Sequence, residues 1–172
     1  RFNSYWNIQS ARGKYIAICD GDDYWTDPIK LQKQVEFLNE NKNHVLCYHD
    51  SIVMDERKNI INKSRLDNNK DNFSRYFMLG GSFILNNTVM FRNVIKDLPV
   101  HLLTAPNDDT ILFHLLGFYG EGGFVTGIKS SVYRLHEDSI WSSTTHLEKV
   151  KYLLISRKLI KNNLINSLGK NH

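Results

Sequence analysis

The sequence predicts an α/β fold in which a sheet of mixed strand directions is flanked by helices. Short apolar runs with β-branched residues, typical of buried strands, occupy residues 15–19, 45–49 and 88–92. Segments with apolar residues at helical spacing lie between these runs, and such alternation is typical of α/β sheets. No repeat or linker interrupts the pattern, so we expect the 172 residues to form one domain with its own core.

The predicted helices occupy the intervals between the strands. Residues 2–10 are interpreted as the end of a helix that leads into the first strand. A second helix is expected to begin at Thr26-Asp27-Pro28, where a capping residue is followed by proline at the first helical position. The other predicted elements are a polar ribbon or long loop at 50–72, a strand at 124–132, and helices at 73–79, 107–117 and 144–168.

The last predicted helix is basic. We expect residues 1–143 to form the domain and residues 144–172 to form an amphipathic helix that packs on it or extends it. Its predicted apolar side consists of Leu147, Val150, Leu154 and Leu164. Its basic residues are Lys149, Lys151, Arg157, Lys158, Lys161 and Lys170. These residues predict either a solvated basic face or peripheral contact with an anionic membrane.

The composition of the chain indicates which kinds of ligand it can bind and in which cellular compartment it is expected. A net charge of +4 and a pI near 9.0 favour anionic ligands, but no basic run is interleaved with aromatic residues, so nucleic-acid binding is not predicted. Cys19 and Cys47 lie in apolar runs and are interpreted as buried free thiols, which favours the cytoplasm. No apolar run approaches the length of a membrane span, and no signal peptide is visible.

An acidic cluster, Asp20-Gly21-Asp22-Asp23, directly follows the first predicted strand. Residues two apart in a strand project to the same side, so Asp20 and Asp22 are expected to point the same way if the chain stays extended. Gly21 lets a ligand approach the backbone between them. Paired carboxylates suit a hard cation such as Mn²⁺ or Mg²⁺, whereas the alternative is an ordinary turn.

The residues around this cluster resemble a known family. The matching segments are residues 11–17, 20–25 and 27–32. Together they resemble the middle of a family 2 glycosyltransferase. The resemblance implies a GT-A fold, in which the acidic cluster is the DxD motif of a nucleotide-diphospho-sugar transferase. It also implies that a βαβ portion that holds the nucleotide base precedes residue 1, so that the chain is expected to be a fragment.

The implied reaction is an inverting, metal-dependent transfer of a hexose. The donor is a nucleotide-diphospho-sugar, with a UDP-sugar favoured, and the acceptor is a hydroxyl of a glycan or of a lipid-linked sugar in polysaccharide synthesis. On this interpretation Asp22 holds the Mn²⁺ or Mg²⁺, while Asp20 binds the donor ribose or shares the cation. Asp23 belongs to the same donor-binding motif.

A second acidic pair, Asp108 and Asp109, opens a predicted helix. Carboxylates are favoured there as caps, which is the structural alternative. The run Asp109-Thr110-Ile111-Leu112-Phe113 resembles the family segment whose aspartate is the general base that deprotonates the acceptor. The family usually has an aromatic residue at the position of Thr110, which leaves both Asp108 and Asp109 as candidates. We favour Asp109.

A third run, Tyr133-Arg134-Leu135-His136 with Ser139-Ile140-Trp141-Ser142 after it, resembles a segment that follows the last strands in part of the family. The resemblance implies that His136 lies near the metal, and imidazole is a plausible ligand for Mn²⁺. Arg134 is expected to face the diphosphate, because its guanidinium matches phosphate oxygens. A structural histidine and a surface salt bridge are the alternatives.

Two other functions remain open from the sequence. One is a nucleotide-sugar-binding or scaffold domain without catalytic activity. The other is a glycoside hydrolase with two carboxylates, which would need neither metal nor nucleotide. For the glycosyltransferase we expect a cytoplasmic location, at the inner face of the membrane if the basic helix binds lipid.

Overall fold

The computed structural model describes residues 2–67, 70–81, 84–99, 105–136 and 144–169. The helices are α1 (Phe2–Ser10), α2 (Lys30–Glu40), α3 (Arg75–Leu79), α4 (Asp108–Leu116) and α5 (His146–Gly169). The strands are β1 (Tyr15–Ala17), β2 (His44–Tyr48), β3 (Ser51–Met54), β4 (Ile60–Asn62), β5 (Met90–Arg92), β6 (Glu121–Phe124) and β7 (Ser131–Arg134). A 3₁₀ turn, Asn86–Thr88, precedes β5. The alternation of these elements confirms the predicted α/β class.

The strands form two sheets of mixed direction. The first has the order β1-β5-β2-β6, with β5 antiparallel to both of its neighbours and β2 parallel to β6. The second has the order β4-β3-β7, with β3 antiparallel to β4 and parallel to β7. Strand β3 follows β2 in the chain, and β7 follows β6. Two parallel segments of chain therefore run from the first sheet into the second.

Alternating side chains of the first sheet enter different parts of the core, as successive residues of a strand should. Leu46 and Phe91 pack with α4 and with Ile160 of α5, whereas Cys47 and Met90 pack with Leu38 of α2. Helices therefore cover both faces of this sheet. The sheet in turn fixes where β1 ends and where α4 begins.

The predicted start of α2 is wrong by two residues. The hydroxyl of Thr26 donates to the carbonyl of Ser130 at 2.8 Å instead of capping a helix. The carboxylate of Asp27 accepts from the backbone N–H groups of Ile29 and Lys129, at 3.1 and 2.9 Å. Because both side chains tie this loop to the turn before β7, α2 begins only at Lys30.

The predicted strand at 124–132 is also wrong, because the chain forms two strands, β6 and β7, with a turn between them. Gly127 in this turn has a φ of +75°, a left-handed conformation that favours glycine. The polar stretch after β2 includes the β3–β4 hairpin, which confirms the ribbon. In that hairpin the carboxylate of Asp55 accepts from the backbone and side-chain N–H groups of Asn59, at 2.7 and 2.9 Å.

The two cysteines differ from each other in exposure. Both are free thiols, and Cys47 is buried as predicted. Cys19 is exposed, so its predicted burial is wrong. The reason is that β1 ends at Ala17, which leaves Cys19 in the loop beyond the sheet.

Helix α5 forms where it is predicted. Its start is capped reciprocally, because Thr145 Oγ1 accepts from the Glu148 N–H at 3.3 Å while Glu148 Oε2 accepts from the Thr145 N–H at 2.9 Å. Of the predicted apolar side, Leu164 packs against the core, whereas Leu147 and Leu154 are 63% and 64% exposed. The helix contacts the core through Ile160, with Leu159 and Leu164 packed beside it. No described helix has the length and apolar character needed to cross a membrane.

Candidate active site

The candidate active site begins at the loop after β1, residues 20–25, which we call the acidic loop. Its first four residues form a turn in which the Asp23 N–H donates to the Asp20 carbonyl at 3.0 Å. The extended geometry considered for Asp20 and Asp22 is therefore wrong. Because the chain turns between them, the two carboxylates face different cavities.

Hydrogen bonds to distant segments hold the acidic loop in place. Tyr24 exchanges backbone hydrogen bonds with Val132 of β7, at 3.2 and 2.9 Å. The indole N–H of Trp25 donates to the carbonyl of Asn87 at 2.9 Å. The Lys30 ammonium lies 4.3 Å from the centroid of the Trp25 ring. The loop is thus joined to β7, to the 3₁₀ turn and to α2.

Lys30 is a buried cation that sequence reasoning missed. Its ammonium donates to Gln34 Oε1 at 2.7 Å, and burial lowers its pKa to about 8. The indole face offsets part of the cost of burying this charge. Its signal in the sequence is only a lysine at the start of an otherwise amphipathic helix, where an exposed side chain is the usual outcome.

Asp22 and His136 lie side by side. The distance between Asp22 Oδ2 and His136 Nε2 is 3.0 Å. Ligands in adjacent positions of an octahedral ion, with bonds of about 2.1 Å, are about 3 Å apart. The two side chains form a hydrogen bond, and their separation would also suit two ligands of one Mn²⁺ ion.

Among the described residues, no group of three or more histidine, cysteine or acidic side chains has the arrangement of a metal site. Mg²⁺ sites commonly use one or two carboxylates, with substrate phosphates and waters as the remaining ligands. A two-ligand site fits an ion that binds together with a diphosphate.

Asp23 and Arg134 are brought together at the end of β7. The Asp23 carboxylate accepts from the Arg134 backbone N–H at 3.1 Å, and the guanidinium Nε donates to the Asp22 carbonyl. Burial raises the pKa of Asp23 to about 6, although the hydrogen bond opposes this rise. Asp23 therefore joins the acidic loop to β7 as well as lining a cavity.

Asp20 faces the start of α4. Its Oδ2 accepts from the side-chain amide of Asn86 at 3.3 Å. Burial raises the pKa of Asp20, and the Asp22 and Asp108 carboxylates raise it further, against the lowering effect of Asn86. Sequence reasoning missed Asn86, whose only signal is its place in a short polar run before β5.

Asp108 and Asp109 open α4, as predicted. Each accepts a hydrogen bond from the backbone N–H of the next residue: Asp108 Oδ1 from Asp109 at 3.2 Å, and Asp109 Oδ1 from Thr110 at 2.6 Å. Burial raises the pKa of Asp109 to about 6, and the charges of Asp108 and Asp20 add to the rise. A carboxylate with such a pKa is a stronger proton acceptor than an exposed aspartate.

Two cavities meet at these carboxylates. The first, of about 620 Å³, lies against α1 and β1, and the second, of about 510 Å³, lies against α4 and α5. Residues common to the walls of both are Asp20, Asn86, Asp108 and Asp109. A molecule in either cavity can thus reach the same carboxylates.

A third cavity, of about 570 Å³, contains Asp22, Arg134 and His136. The structure thus divides the predicted site residues between one set around Asp20 and Asp109 and a second set around Asp22. The acidic loop connects the two sets. The predicted segment Ser139-Ile140-Trp141-Ser142 lies outside the described residues.

Comparison with known proteins identifies a family. The sequence profile described as glycosyl transferase family 2 matches residues 6–98, which is more than half of the chain. This match extends from α1 through the acidic loop to just beyond β5. Two mixed sheets flanked by helices are the arrangement expected of a GT-A-like domain.

Curated relatives come from bacteria and archaea. An uncharacterized protein of Mycobacterium bovis is 32% identical over 141 residues, which cover 79% of this chain and 39% of that protein. The same values hold for an uncharacterized protein of Mycobacterium tuberculosis. An uncharacterized glycosyltransferase of Methanocaldococcus jannaschii is 34% identical over 71 residues, which cover 41% of this chain and 24% of that protein. The chain thus spans well under half the length of these relatives.

Proposed function

The chain belongs to glycosyl transferase family 2, and from this membership we propose that it is an inverting, metal-dependent hexosyltransferase. The proposed donor is a nucleotide-diphospho-sugar, with UDP as the favoured nucleotide. The proposed acceptor is a hydroxyl of a glycan or a lipid-linked sugar in polysaccharide synthesis. The membership itself supports a glycosyltransferase that uses a nucleotide-sugar donor, and the finer assignments rest on the site.

The observation that carries the proposal is the acidic wall shared by two cavities. Sugar transfer needs a donor and an acceptor held in contact, because fixing both reactants supplies much of the rate gain. Asp20 and Asp109 line both cavities, so a donor in one and an acceptor in the other would meet at these carboxylates. A binding domain would need only one cavity.

Asp22 and His136 are the proposed ligands of Mn²⁺ or Mg²⁺. Such an ion, when bound, neutralises the negative charge that develops on the departing diphosphate. Arg134 is proposed to add a second positive charge on the same side, because it lines the cavity that contains Asp22. Asp20 is the proposed contact to the donor, and Asp23, which lines the second of the two cavities, is a further proposed substrate-binding residue.

Asp109 is the proposed general base. Its pKa of about 6 leaves it ionised at neutral pH yet basic enough to accept a proton from the acceptor hydroxyl as that oxygen attacks the anomeric carbon. Attack from the face opposite the diphosphate inverts the anomeric centre. Asp108 is the alternative base, since it lines the same two cavities.

The test is sugar transfer by the native-length protein. It is supplied with Mn²⁺ and a panel of nucleotide sugars, and the anomeric configuration of the product is read by NMR. A product with configuration opposite to that of the donor, lost on addition of EDTA, is the expected result. A protein that binds nucleotide sugars but transfers none of them is instead a binding or scaffold domain.

We further propose that the enzyme works in the cytoplasm at the inner membrane face. Helix α5 contains five basic residues and one acidic residue, so its net charge of +4 equals that of the whole chain. Its outward side chains include the exposed Leu147, Leu154 and Ile165. Apolar side chains among lysines are typical of helices that bind anionic lipid surfaces.

A further inference from the structure

The cavity between α4 and α5, which we call the second cavity, has a basic side as well as an acidic side. Asp20, Asp23, Asp108 and Asp109 line it from the acidic loop and from the start of α4. Arg65, Lys149 and Arg157 line it from the segment after β4 and from α5. The opposite charges therefore come from different elements of the fold.

The side chain of Arg157 lies near Thr110, the residue that follows the proposed base. A methyl group built on Gly81 would lie 3.2 Å from Arg157 Nη1 and 3.0 Å from Thr110 Cγ2. Gly81 has a φ of +78°, so the chain there is in a conformation that favours glycine. The guanidinium thus lies beside the first turn of α4, which contains Asp109.

The side chains of Arg65 and Arg157 are not engaged by other residues in the part of the chain that the structure describes. Among those residues, the Arg65 and Arg157 guanidinium groups have no ion pair and no side-chain hydrogen bond. Both residues are exposed to solvent. A planar guanidinium matches the oxygens of a phosphate or carboxylate in a bidentate manner.

Part of the wall of the second cavity is apolar. Ile84 and Leu85 line it from the segment before the 3₁₀ turn, and Val150 and Leu153 line it from α5. These side chains can contact hydrocarbon but cannot bind an anion. A molecule that fills this cavity therefore needs an apolar part as well as groups that pair with charge.

We propose that the second cavity is the acceptor subsite and that the acceptor is an anionic amphiphile. Its phosphate or carboxylate contacts Arg157 and Arg65, its apolar part contacts α5, and its reactive hydroxyl lies at Asp109. This inference rests on the proposed function, because it uses Asp109 as the base. It adds a requirement for negative charge on the acceptor that the family membership does not contain.

Direct binding tests this inference without any turnover. Isothermal titration of the intact protein compares octyl glucoside, octyl glucuronide and octyl phosphate, all below the concentrations at which they form micelles. Octyl glucuronide differs from octyl glucoside by a carboxylate in place of a hydroxymethyl group, so this pair isolates the charge. Octyl phosphate separates a phosphate source from an acidic-sugar source.

At least one anionic amphiphile is expected to bind about tenfold or more tightly than octyl glucoside, and to bind more weakly at high salt. Arg157→Gln is expected to remove this preference, and Arg65→Gln to reduce it. Arg75→Gln is the matched control, because Arg75 is exposed at the start of α3 and lines none of the three cavities. Thermal unfolding of each variant establishes that it is folded.

Three results would overturn the inference. The first is equal affinity for the charged and neutral amphiphiles. The second is an equal effect of Arg157→Gln and Arg75→Gln. The third is loss of affinity for UDP with Mn²⁺ in Arg157→Gln, which would assign the guanidinium to the donor diphosphate. Since none of these measurements involves sugar transfer, each leaves the proposed reaction to its own test.

Discussion

The acidic loop and helix α5 are held in the molecule in opposite ways. The loop is short, yet Trp25 bonds to a residue 62 positions away and Asp23 to one 111 positions away. Helix α5 has 24 residues, but only Ser156 and Ile160 among its described side chains are buried. The contrast indicates that the fold holds the acidic loop in one position, whereas most of α5 is available to contact other molecules.

The largest expected effect is the loss of turnover when Asp109, beside the acidic loop, is replaced. Asp109→Asn removes the proposed proton acceptor and keeps the size of the side chain, so kcat should fall about 10³-fold. The affinity for the donor should change little, because the base acts in the transition state. Steady-state kinetics and donor titration measure the two quantities. A comparable fall in Asp108→Asn alone would move the role of base to Asp108.

The next effect is on the free energy of unfolding, which should depend more on the acidic loop than on α5. Trp25→Ala removes the hydrogen bond to Asn87 and the ring over the Lys30 ammonium, so the free energy of unfolding should fall by about 2–3 kcal/mol. Leu154→Ala, on the exposed side of α5, should change it by less than about 0.5 kcal/mol. Urea denaturation measures both. Equal changes would mean that the loop is no more firmly held than the helix.

The raised pKa of Asp109 predicts a smaller effect, a change in the free energy of unfolding that depends on pH. Folding raises its pKa to about 6 from the ordinary value of 3.8, so the folded state binds this proton more tightly than the unfolded state does. This contribution to stability is present at low pH and is lost as pH rises through 6. Asp109→Asn should therefore stabilise the fold by about 1–2 kcal/mol at pH 7.5, and by less at pH 4.5. An equal effect at both pH values would contradict the raised pKa.

The smallest effect per residue is on membrane binding by the outer side of α5. Combined Lys151→Glu, Lys158→Glu and Lys161→Glu substitutions should abolish co-sedimentation with anionic vesicles, since each lysine near such a surface contributes about 1 kcal/mol. Lys42→Glu, after α2, is the control for a single charge change away from this helix. Binding by the unaltered protein should be absent with neutral vesicles and weaker at high salt. Equal binding to both vesicle types would remove the membrane from the proposal.

The sequence predicts the elements better than it predicts their contacts. The strands predicted at 45–49 and 88–92 form because short apolar runs are stable where both of their faces are covered. The hydrophobic pattern of the sequence shows such runs directly. The start of α2 is not predicted, because Thr26 and Asp27 bond to Ser130 and Lys129, which are distant in the chain. Local capping signals say nothing of such partners.

The candidate site follows the same rule. Asp22 and His136 are named from separate motifs, and the fold brings them within 3.0 Å. Asn86 and Lys30 escape prediction, and Arg157 is predicted only as part of a basic helix. Each is an ordinary residue of its element until the fold places it beside a carboxylate, an indole ring or a cavity. The site therefore becomes visible from sequence only where several acidic residues are neighbours in the chain.

The proposed role of Asp22 is to hold a metal ion that binds together with the donor diphosphate. Its most direct test is the affinity for UDP, measured by titration with and without Mn²⁺ in the intact protein, in Asp22→Ala, and in Asp97→Ala as an exposed control. We expect Mn²⁺ to tighten UDP binding about tenfold or more in the intact protein and in Asp97→Ala. In Asp22→Ala this gain should be absent while thermal unfolding is unchanged. An equal affinity for UDP with and without Mn²⁺ in the intact protein would contradict this role.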